Sequence, residues 1–375
     1  MIYSVDGETA RWIQKTVSRL RCKKDWPSLA TREAYWTPAF LGALIDEVDY
    51  LLTAGFGKEA HDISRHLQLL AERIRPESCP QQEVGQRSLV VWAVAVHGSS
   101  CRYLSHFSEA ESTFALAFQK AESGVLSWAK ADLDRRFAIL LTQRGDRRAF
   151  DFIQSALAGF GDLPEKQAET LILRGVARSE MHNDSSGAIS DYSNAAALVD
   201  PRKTERARWN YNVALHNLSY QLIIGDCISF DSASRARQML LLTRSYFGQG
   251  LCPRKLTSIW VEGLLAFRFG WNRHSGRLLE KARRGFLKLD CYDCAMVVSL
   301  DLALVLLEDG EPEEAAECLR SAGEALPEGL KHASEYSGFW KTTLNRQALL
   351  QTRGKLAGLL PRNHWRKARA SQAES

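Results

Sequence analysis

Cys291 and Cys294 are two thiols with two residues between them, the spacing at which paired thiolates hold zinc or exchange disulfides. A zinc site needs more ligands, and the remaining candidates, Cys318 and His332, are distant and fall on another expected helix. The βαβ setting of a redox pair is missing as well. The eight cysteines are otherwise scattered, so in a reducing compartment they serve as small buried apolar side chains. His97, Cys101 and His106 form a second grouping, near one face of one expected helix and its turn. His97 falls at a core-facing position and His106 where the chain turns, which favours packing histidines over ligands. Gly55-Phe56-Gly57-Lys58 lacks the spacing of a phosphate-binding loop and the strand that precedes one. Neither a Gly-x-Ser-x-Gly elbow nor a His-Glu-x-x-His run occurs. The expectation is a chain with no catalytic residues, no bound metal and no cofactor.

The elements that position these residues are helices. Apolar residues recur with the 3.6-residue period almost throughout, and no alternating β-branched stretch flanked by hairpin turns competes. Ten prolines in 375 residues leave room for many uninterrupted helices. The unit is plainest near the C-terminal end. An apolar run over 297–307 is followed by Gly310 and Pro312, then by a second helical run over 313–322 and by Pro327. Gly310 supplies a left-handed C-cap, while Pro312 with Glu313 and Glu314 suits a helix N-terminus, where the macrodipole favours acids. The product is a helical hairpin with a tight turn.

Leu302, Ala303, Leu306, Gly310, Ala315, Leu319, Ala322 and Pro327 resemble, in order and spacing, the consensus of the tetratricopeptide repeat. Small residues at Ala303 and Ala315 let two antiparallel helices approach closely, and Leu306 and Leu319 fill the groove towards the next hairpin. The same skeleton is laid on Val48, Leu51, Gly55, Ala60 and Leu67; on Gly98, Ala110, Phe114 and Ala117; and on Ala138, Leu141, Gly145 and Leu157. Further along it falls on Gly175, Ala188, Tyr192, Ala195 and Pro201, then on Leu218, Gly225 and Ala233, then on Ala266, Phe269, Leu278 and Ala282. The spacing exceeds the family's period of about 34 residues. The resemblance therefore implies an all-α fold, an α-α superhelix or TPR-like solenoid of about seven irregular helical hairpins. Residues 1–36 would form an N-terminal helical extension, 37–360 the array and 361–375 a basic tail. The stretch from Ala282 to Ala303 also resembles the helical repeats of bacterial regulators that carry a DNA-binding domain. The 36 residues ahead of the first repeat are too few for such a reader.

Such an array offers a groove lined by the first helix of each hairpin. By resemblance to the family, its partner-facing residues would be Ser99, Arg102, Tyr103, Arg135, Thr142, Gln143, Ser179 and Glu180. The amide-rich run Trp209-Asn210-Tyr211-Asn212, with His216 and Asn217, suits the backbone groups of a bound peptide. Charge adds a second possibility. Residues 1–35 carry +3 and 341–375 carry +7, leaving the body at about −5. Basic ends on an acidic body argue against a nucleic-acid groove along the whole chain. The run Arg362, Trp365, Arg366, Lys367 and Arg369 could still contact a polyanion through charge and stacking. The spacing of Arg268 and His274 is similar to a motif of helical ribonucleases, but 49 Lys and Arg with nine histidines make it cheap. No basic, apolar leader and no apolar run of membrane length is visible, so a cytoplasmic protein is expected. Three functions follow in order: a non-catalytic protein- or peptide-binding scaffold, a nucleic-acid-associated regulator using its basic ends, and a helical-repeat nuclease.

Overall fold

The computed structural model describes residues 6–324 apart from 24, 105, 225–229, 248–252 and 290. Among these residues every regular element is helical. Helix α1 (Gly7–Lys23) is followed by short 3-10 turns, the first at Trp26–Ala30 around Pro27. Seven helical hairpins then follow among the described residues. They are α2 (Pro38–Ala54) with α3 (Gly57–Arg73), α4 (Glu83–Tyr103) with α5 (Phe107–Ala121), and α6 (Ser127–Arg144) with α7 (Ala149–Phe160). The chain continues with α8 (Pro164–His182) and α9 (Ser185–Leu198), α10 (Glu205–Ile224) and α11 (Phe230–Tyr246), α12 (Pro253–Arg268) and α13 (Asn272–Lys288), and α14 (Tyr292–Asp309) and α15 (Pro312–Glu324). The all-α hairpin array expected from the repeat skeleton is the observed fold. Pro327 and Gly225 lie outside the described residues.

Local chemistry sets the helix ends. Thr37 caps α2, its side-chain oxygen accepting from the Phe40 N–H at 3.2 Å, with Pro38 in the first turn. Gly55 ends that helix at φ 91° and Gly310 ends α14 at φ 82°, conformations that strain any residue with a Cβ. Between paired helices the small residues admit rings. A Cβ on Gly98 would stand 3.1 Å from the Phe114 ring, and one on Gly175 would stand 2.5 Å from the ring of Tyr192.

The chain divides into two compact units, residues 1–142 with 146–173, and 143–145 with 174–375. In the first, Phe40, Leu44, Ile63 and Leu67 pack under α1, and Phe114, Leu133 and Leu140 fill the space between α4, α5 and α6. In the second, Leu256, Leu279, Phe286, Val298 and Leu302 bind α12, α13 and α14 together. In both units the two helices of a hairpin differ in kind. The second helices are amphipathic, α5 burying Ala110, Phe114 and Ala117 and leaving the opposite face wet. First helices such as α4 and α6 are buried on several sides, and much of what they bury is polar: Ser99 and Ser100 on α4, and Asp132, Asp134, Arg135 and Arg136 on α6. No helix among the described residues is long and apolar enough to cross a membrane.

Candidate functional site

Helix α6 places Asp132-Leu133-Asp134-Arg135-Arg136 among alanines and leucines, and all four charged residues are buried. A buried charge is costly unless it is met by an opposite one. Asp132 accepts from Arg136 Nε at 2.5 Å, from Arg135 Nη2 at 2.8 Å and from Lys166 Nζ of α8 at 3.1 Å. Arg136 turns its remaining nitrogens as a fork onto Asp49 of α2, at 2.9 and 2.8 Å, and Nη1 also reaches Ser99 Oγ of α4 at 3.4 Å. Glu169 of α8 lies 3.6 Å from Arg135 and 3.7 Å from Lys166. Three carboxylates thus meet three cations. On a neighbouring face Asp134 is held by Lys130 and accepts from Ser155 Oγ of α7 at 2.6 Å.

The charges named here balance. Burial alone would raise the Asp132 pKa, but the charges of Arg136, Lys166 and Arg135 prevail and hold it well below the usual carboxylate range. Burial likewise works against the Arg136 charge, and Asp132 and Asp49 overcome it.

Asp49 of α2 and Arg136 of α6, 87 residues apart in sequence, meet at 2.8 Å, so the first helices α2, α4, α6 and α8 all contribute to one network.

The residues expected to line a groove divide by depth. In the first unit, Ser99 and Arg135 belong to the network, Thr142 is buried with its hydroxyl on the Ala138 carbonyl, and Arg102 and Tyr103 are half-buried at the end of α4. The Tyr103 ring covers Gly57 of α3. In the second unit, Gln143 and Ser179 are half-buried, and Glu180 is exposed. Ser179 donates to Gln221, which in turn donates to Ser185, both at 2.8 Å. Asn210 and Asn212 are buried, and Asn212 donates to the Arg208 carbonyl of its own helix. Sequence patterning reached Ser99 and Arg135 but missed Asp49, Asp132, Arg136, Lys166 and Glu169. The available signal was a cluster of four charges in a stretch with apolar residues on every side.

His216 of α10 is fully enclosed, edge-on to Phe247, and its Nδ1 has no hydrogen-bond partner. Burial, reinforced by the nearby Arg254 charge, lowers its pKa to about 3. The unfolded chain binds this proton near the ordinary value of about 6.5, so His216 stabilises the fold fully above that pH and progressively less as the pH falls towards 3. We expect His216 alone to remove about 2 kcal/mol of stability between pH 7 and pH 5. Urea unfolding at the two pH values tests this, because His216→Leu should flatten the dependence. An unchanged dependence in that variant would contradict the assignment.

Other sequence motifs fall elsewhere. Cys291 caps α14 and Cys294 lies in its first turn, both half-buried against the core of α12–α14. His274 is exposed at the start of α13. The basic run Arg362, Trp365, Arg366, Lys367 and Arg369 lies outside the described residues. His97 and Cys101 are joined by His61 of α3, one possible ligand atom from each lying within 4.8 Å of the others.

No family model matches the chain, and no curated protein matches it in sequence. Among solved structures it is similar to a Rap protein complexed with competence and sporulation factor, with a TM-score of 0.49 and 11% identity over 84% of this chain and 99% of that one.

Proposed function

We propose that the chain is a non-catalytic scaffold whose first unit binds an extended protein or peptide segment along the face formed by its first helices. The observation that carries this reading is the convergence of α2, α4, α6 and α8 on one buried charge network. Side chains from four consecutive hairpins lie under one surface, so a single extended segment crossing it contacts several hairpins at once. The network is balanced and already paired, and it therefore holds its shape without the partner. Pre-organisation of this kind lowers the ordering cost of binding. We assign the chain a regulatory or assembly role of the kind found in bacterial helical-repeat proteins.

A display library of random peptides selected on the folded full chain tests the proposal. We expect one related set of sequences to be enriched, and Arg102→Ala to weaken their binding by about tenfold, the loss of one good polar contact. Leu116→Ala, on the exposed face of α5, should leave it unchanged. Failure to enrich any related set, or equal loss from both variants, would overturn the reading.

A further inference from the structure

His97 and Cys101 stand four residues apart on α4, on one face. His61 approaches from α3, and Glu109 from the first turn of α5. The Cys101 Sγ lies 3.8 Å from His61 Nδ1 and 3.8 Å from His97 Nε2. Tetrahedral zinc, with Zn–S about 2.3 Å and Zn–N about 2.0–2.1 Å, separates its sulfur and nitrogen ligands by about 3.6 Å. The Glu109 carboxylate is 3.9 Å from His97 Nε2 and also reaches the Cys101 thiol. We propose that His61, His97 and Cys101, with Glu109 as the fourth ligand, bind a divalent transition-metal ion of the zinc class. This assignment is independent of the peptide-binding reading.

The surroundings suit the task. Ser64 Oγ lies 2.9 Å from the His61 carbonyl and 3.0 Å from His97 Nδ1. With the Ser64 proton on that carbonyl, Ser64 Oγ would accept from His97 Nδ1–H and the Nε2 lone pair would face Cys101. Ring nitrogens of metal-binding histidines are ordinarily fixed in this way by a partner outside the ligand set. Ser100 Oγ bonds Ser64 at 2.6 Å and approaches His61 Nδ1 at 3.5 Å, continuing the polar backing. Cys101 is fully buried, whereas Glu109 is half exposed, which leaves a way in for the ion. On binding, the thiol proton passes to solvent as the sulfur–metal bond forms, with no change of oxidation state. Thiolate and imidazole ligands select zinc-class ions over magnesium or calcium. The bound ion would join α3, α4 and α5, tying the first two hairpins together.

Cobalt(II) added to the metal-free full chain supplies the readout, since thiolate-to-cobalt charge transfer reports sulfur ligation and intense visible bands report tetrahedral geometry. We expect both to saturate at one equivalent, to be displaced by zinc, and to accompany a rise in Tm with zinc. Cys101→Ser should abolish the charge-transfer band, and His61→Gln should weaken cobalt binding at least tenfold, both variants keeping the wild-type circular dichroism. A Cys291→Ser/Cys294→Ser variant should behave as wild type. Absence of the charge-transfer band in the folded wild-type chain would overturn the proposal. So would a band that survives Cys101→Ser and is lost with Cys291 and Cys294.

Discussion

Asp132→Asn is expected to destabilise the first unit by about 3–5 kcal/mol, the usual cost of removing one partner from a buried ionic cluster. The amide has nearly the shape of the carboxylate, so the loss measures charge rather than volume. Arg136, Arg135 and Lys166 all face Asp132, and Asn at that position removes the carboxylate that the three share, while Asp49 and Glu169 remain. Pairing Asp132→Asn with Arg136→Gln should cost less than the sum of the two single changes, because each removes the same interaction. The acid limb of stability provides a second check. The folded-state pKa of Asp132 is depressed, so its contribution is complete above the ordinary carboxylate range and disappears as the pH falls below it. That loss lies well below the window between pH 7 and pH 5 in which His216 acts. A cost under about 1 kcal/mol for Asp132→Asn in urea unfolding, typical of an exposed pair, would show that Asp132 does not anchor the buried charges as described.

Phe114→Ala should cost a comparable amount, about 3–5 kcal/mol, through a different cause. The ring is fully buried, rests on Gly98 of α4 and lies 5.6 Å from the ring of Phe137 on α6. Its removal leaves a cavity between one hairpin and the next, and Gly98 has no side chain with which to fill it. Hydrogen exchange should show α4 and α5 losing protection together, since they share the vacated space. Retention of protection in both helices, with a stability change below about 1 kcal/mol, would mean that the hairpins do not depend on this contact.

The two residues also mark what the chain reveals before it is folded. Phe114, Gly98 and Ala110 belong to a local pattern, because a hairpin brings together residues close in sequence. Gly55 and Gly310 could be read as helix ends for the same reason, since a left-handed cap is a property of one residue and its neighbours. Asp132 and Arg136 could be seen as charges in an apolar helix, but their outer partners could not. Asp49 is 87 residues from Arg136, and only the packing of the first helices joins them. Helical periodicity also cannot distinguish a first helix buried on several sides from one that leaves a polar face open. Asn210, Asn212 and His216 therefore looked like groove residues, yet they lie under the surface. His97 and Cys101 were visible as a pair four residues apart, whereas His61 arrives from another helix.

The most direct measurement on the binding face uses a selected peptide carrying a photo-reactive group, with its adducts on the full chain located by mass spectrometry. A segment held on the first-helix face of the first unit should label α2, α4, α6 and the start of α8, with adducts near Asp49, Arg102 and Glu169. Labelling concentrated on the outward faces of α3, α5 and α7, or spread evenly over the chain, would contradict binding at that face.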